Sequence, residues 1–80
     1  MEKMTEEKKR ECATDIIEEV EACIETCINH KLHDLSVVSL FTDECRDKAQ
    51  IMREAHGYDV SDADMLEITM NHLHDLCAFN

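Results

Sequence analysis

Proline and tryptophan are absent from the 80 residues, glycine occurs once, and only three residues are Phe or Tyr. Without proline, nothing in the chain forbids a helix from continuing, and with one glycine there is almost no material for tight hairpin turns or phosphate-cradling loops. Basic residues are also scarce: eight Lys and Arg stand against 19 Asp and Glu, a formal charge of −11. That balance opposes direct binding to phosphate backbones and anionic membranes, and favours a basic partner. No stretch approaches the ~18 uninterrupted apolar residues of a membrane span, and "MEKMTEEKKRECATD" carries no apolar core of signal type. A cytoplasmic protein is expected.

What remains is a composition of helix formers, rich in alanine, leucine, isoleucine and glutamate, which predicts an all-α fold. A chain this short makes a single helical domain over residues 1–80 and buries a modest share of its surface, so added support from self-association is expected. The predicted architecture is a three-helix antiparallel bundle with a long first helix, completed by dimerisation. Thr5 is the predicted N-cap of a helix over about 6–31, whose apolar stripe runs through Cys12, Ile16, Val20, Cys23, Ile24, Cys27 and Ile28. Asp34 or Ser36 caps a second helix over about 35–56, with Val37, Val38, Phe41, Cys45, Met52 and Ala55 inward, stopping at Gly57. Ser61 and Asp64 read as a capping box for a third helix over about 62–78, with Met65, Leu66, Thr69, Leu73, Leu76 and Cys77 facing in.

Five cysteines, an odd number, without an export signal imply reduced thiols. Taking Cys12 as zero on a helical wheel, Cys23 falls near about 20°, Cys27 near about 60° and His30 near about 0°. Thiolates and imidazole suit Cu(I) or Zn(II), so Cys23, Cys27 and His30, joined by Cys45 from the second helix, form one candidate metal set. The same cysteines lie where any helix buries small hydrophobes, and His30 suits a helix C-terminus as a cation, so packing is the competing reading.

The run "ACIETCINHKLHDLSVVSLFTDECRDKAQIMREAHG" resembles the helix–turn–helix core of cysteine-rich four-helix bundles of the copper-storage type. It is similar in the CxxxC of Cys23 and Cys27, in an Asp-bearing turn, and in "DEC" followed by an alanine-containing helix that ends on glycine. The resemblance covers about half the chain. It implies a bundle core of thiolates holding Cu(I), with Cys23, Cys27 and Cys45 at cysteine positions and Cys12 and Cys77 as looser candidates.

Catalytic arrangements are poor. His56, His72 and His74 have acidic neighbours, but there is no serine elbow, no phosphate loop and no helical ExxH pair, so no enzyme is expected.

The charge pattern is more specific. From Glu11 to His30 there are six acids and no Lys or Arg, and six more acids follow Arg53 with no Lys or Arg among them. On the first helix Glu11, Asp15, Glu18, Glu21 and Glu25 share the face opposite the cysteines. Neighbouring acids there stand ~5–6 Å apart without a lysine at i+4, an arrangement that costs stability. One reading is a solvated face that keeps a small protein in solution. The other is a docking face for a basic surface, including that of a nucleic-acid-binding protein, with Asp59, Asp62, Asp64 and Glu67 as a second patch. The expected function is that of a small acidic interaction protein, extending to a nucleic-acid-mimic inhibitor, with a Cu(I) or Zn(II) binding bundle as the alternative.

Overall fold

Thr5 opens the first helix as its sequence position implies. Its backbone is extended (φ −70°, ψ 162°) and its hydroxyl accepts the Lys8 backbone N–H at 3.1 Å. In this computed structural model, which describes residues 2–31 and 37–78, helix α1 covers Glu6–Asn29, α2 covers Val37–Glu54 and α3 covers Asp62–Ala78. Each helix packs against the other two. The all-α expectation holds among the described residues, whose only extended pairing is an isolated bridge between Glu2 and Tyr58.

Helix α1 ends two residues earlier than expected. Lys31 takes a left-handed backbone (φ +56°), and its N–H turns back to the Ile28 carbonyl at 3.1 Å, closing the last turn instead of extending it. Helix α2 ends at Glu54 rather than 56. Gly57 follows at φ +69°, and the Tyr58 N–H returns to the Met52 carbonyl at 2.9 Å. Glycine meets this backbone without the penalty that a Cβ imposes. The expected caps at Asp34 and Ser36, and the start of α2 at 35, lie outside the described residues. At the head of α3 the capping box is complete: Asp64 N–H donates to Ser61 Oγ at 3.0 Å, and Ser61 N–H donates to the Asp64 carboxylate at 3.2 Å.

The core joins Cys12, Ile16 and Val20 of α1 to Cys45, Ala49 and Met52 of α2 and Met65 of α3. Ala13 and Thr69 are also fully buried. Two contributors come from outside the helices. Met4 and Val60 are buried in the same cluster, and the backbone around them is clasped: Glu2 N–H donates to the Gly57 carbonyl, and Asp59 N–H to the Glu2 carbonyl at 2.6 Å. Arg53 reinforces the same corner by donating to the Val60 carbonyl at 3.0 Å and to Asp62 at 2.9 Å.

The opposite ends of the predicted stripes are less covered. Cys27 is half-buried and Ile28 is 69% exposed, while Val38 is 76% exposed at the head of α2. Val37, Ala55, Leu76 and Cys77, expected inward, are exposed as well. Periodicity locates the inward direction on each helix, but a neighbour must still be present at that level to cover the residue, and no repeat in the sequence reports that.

Candidate functional site

The outer face of α1 carries the acids Glu11, Asp15, Glu18, Glu21 and Glu25. Glu11 is held by Lys8 at 3.0 Å, three residues earlier on the same helix. Asp15 reaches across to α2, where Lys48 donates to it at 3.3 Å. These two pairs correct the expectation of an uncompensated five-acid face. Lys8 precedes Glu11 by three positions, outside the i+4 spacing, and a partner on another helix has no local signature. Glu18, Glu21 and Glu25 remain exposed, with no ion pair or hydrogen bond to their side chains among the described residues. Glu19, next to Glu18, is exposed and also without an ion pair or hydrogen bond among the described residues.

The second patch divides further. Asp62 is bound by Arg53, and Asp64 is engaged in the α3 capping box. Asp59 and Glu67 line a groove that Lys3, Lys9 and Arg10 also line. Asp59, Asp62, Asp64 and Glu67 therefore do not form a uniformly acidic field.

The candidate metal set is dispersed. Cys45 is buried, with its Sγ at 3.5 Å from the Thr69 hydroxyl, whereas Cys23 and Cys27 are half-buried and His30 is exposed beyond the end of α1. Among the described residues, no group of three His, Cys, Asp or Glu side chains is placed to hold a metal ion.

All five cysteines are free. Burial pushes the Cys12 and Cys45 thiols above the usual range. The Lys48 and Lys8 cations partly offset this at Cys12, and the Thr69 hydrogen bond partly offsets it at Cys45. Such thiols are poor nucleophiles at neutral pH. His72 lies 3.4 Å from the Thr14 hydroxyl, linking α3 to α1, with no cysteine in that contact.

No helix among the described residues is long and apolar enough to cross a membrane. Compared with known protein families, curated proteins and solved structures, the chain matches none.

Proposed function

We propose that this chain is a non-enzymatic, acidic helical interaction protein that docks the outer face of α1 on a basic protein surface. There it takes the position that the phosphates of a nucleic acid would otherwise occupy. The observation that carries this reading is the row Glu18, Glu21 and Glu25, exposed and unpaired among the described residues. These residues follow one another at i+3 and i+4, where like charges destabilise a helix by roughly 0.2–0.5 kcal/mol per pair. A basic partner removes that repulsion and gains several charge-assisted contacts, so electrostatics steer the encounter. In the same proposal the helices run antiparallel from one to the next, and a second copy completes the bundle. The exposed Ile28, Val37 and Val38, where α1 ends and α2 begins, are the residues such a copy would cover.

Fluorescence anisotropy with a labelled Lys/Arg-rich helical peptide as probe tests the docking face. Glu18→Gln, Glu21→Gln and Glu25→Gln together are expected to weaken binding at least about tenfold, and raising salt from about 50 mM to about 500 mM to weaken it further. Glu2→Gln, Glu7→Gln and Glu44→Gln together remove the same net charge elsewhere. Equal loss in both triple variants, or binding indifferent to salt, overturns the reading.

A further inference from the structure

The groove between the start of α1 and α3 is a separate feature from the acidic face. It is an open groove of about 670 Å³, within the range of small-molecule sites of roughly 300–1,000 Å³. Met4 and Val60, buried in the core, underlie its floor, and half-buried Ile68 contributes apolar surface to it, so this part of the groove is fixed by the packing of the fold.

Its rim carries both signs: Glu6 stands on α1 with Arg10, and Asp59 adjoins Lys3 through the Glu2 clasp, whereas Glu67 and Asp75 on α3 are both acidic. Lys3 and Arg10 approach from the N-terminal segment and α1, and Asp59, Glu67 and Asp75 from the connector and α3. None of these five side chains has an ion pair or hydrogen bond among the described residues. The other charged groups there are already engaged: Lys9 with Glu6 at 3.2 Å, and Asp64 in the capping box. Two cations and three carboxylates without partners among the described residues thus line one groove. Pairing among them would still leave one carboxylate unmatched.

We infer that this groove binds a basic amino acid, a small molecule with one carboxylate and two cationic groups, as in the lysine and ornithine class. Its carboxylate meets Arg10 and Lys3, its two cationic groups meet Glu67 and Asp75 of α3, and its methylene chain lies against Ile68. A ligand of net charge +1 carrying both signs matches the local imbalance, which a simple anion or an uncharged apolar compound does not.

The test is a titration of the isotope-labelled full chain with L-lysine, followed by amide chemical shifts. Norleucine, which lacks the side-chain amine, and cadaverine, which lacks the carboxylate, serve as truncated ligands. Shifts are expected at Ile68, Asn71 and His72, with Arg10→Gln, Glu67→Gln and each truncated ligand weakening binding by about tenfold or more. Glu18→Gln, on the outer face of α1, should leave lysine binding unchanged while weakening the basic-peptide probe, so the two sites fail independently. All three substituted residues are exposed, and circular dichroism confirms that each variant folds. The inference is overturned by equal binding of cadaverine and lysine, by shifts centred on Glu18 to Glu25, or by no shift at about 10 mM lysine, a concentration beyond which binding free energy is only about 3 kcal/mol.

Discussion

At the residue scale, Thr69 is the only fully buried polar side chain among the described residues, and it is satisfied on both sides. Its hydroxyl donates to the Met65 carbonyl at 2.8 Å and lies 3.5 Å from Cys45 Sγ, which donates to it. The sequence places Thr69 among inward-facing apolar residues, and the carbonyl four residues earlier makes that burial tolerable. Thr69→Val keeps the shape and removes both contacts. Urea unfolding is expected to show a loss of about 0.5–1.5 kcal/mol, the scale of one modest hydrogen bond, because a thiol is a weak donor. The buried thiols predict a pH dependence. Their folded pKa values lie above the usual 9.0, so an unfolded chain ionises them first and releases protons. Their contribution is fully present below the unfolded pKa and is lost as pH rises through the folded one. Unfolding free energy should therefore fall above about pH 8.5, and less steeply in Cys12→Ala and Cys45→Ala than in the parent chain.

At the scale of the element, the start of each fully described helix was legible, and the reason is local. Thr5 satisfies α1, and Ser61 with Asp64 satisfies α3, through groups three residues away in sequence. Gly57 was equally readable, since a lone glycine between two helical patterns has one obvious use. A Cβ at this position would meet nothing within 4 Å, so Gly57→Ala should cost only the backbone penalty of a left-handed residue, about 1–2 kcal/mol by thermal or urea melts. A larger loss would mean that the connector is more tightly packed than it is here. The end of α1 was less legible because Lys31, not a glycine, takes the left-handed turn. The acidic row was legible only in part. Glu18, Glu21 and Glu25 remain as read, whereas Asp15 is claimed by Lys48, 33 residues away, and only the packing of α1 on α2 brings those two together.

For the whole molecule, charge and shape pull in different directions. The chain carries 11 excess negative charges, and the Cα trace spans 43 × 30 × 16 Å. Unpaired carboxylates repel at this size, and salt screens them over a Debye length of about 10 Å at 0.1 M. Added sodium chloride, from about 0.05 M to about 0.5 M, should therefore raise the thermal midpoint by a few degrees, whereas the same salt should release a basic partner. Glu21→Lys, placed three residues from Glu18 and four from Glu25, should reduce that salt response and raise the midpoint at low salt, read by a melt followed at 222 nm. Native mass measurement reads the second copy directly: twice the 9.3 kDa chain is expected at micromolar concentration. The groove between α1 and α3 was the least legible feature, since Lys3 and Glu67 are 64 positions apart and nothing in either segment refers to the other.

The clasp of Glu2 on Gly57 and Asp59 also sets an order of assembly during synthesis. Met4 cannot lodge against Val60 until the ribosome has released both, and Met65 must follow to close the same cluster. At roughly 5–20 residues per second, the first helix emerges seconds before its own doorstep exists. Through that interval Cys12, Ile16 and Val20 stay uncovered, so a nascent chain stalled before residue 60 should be the species that chaperones hold and proteases cut.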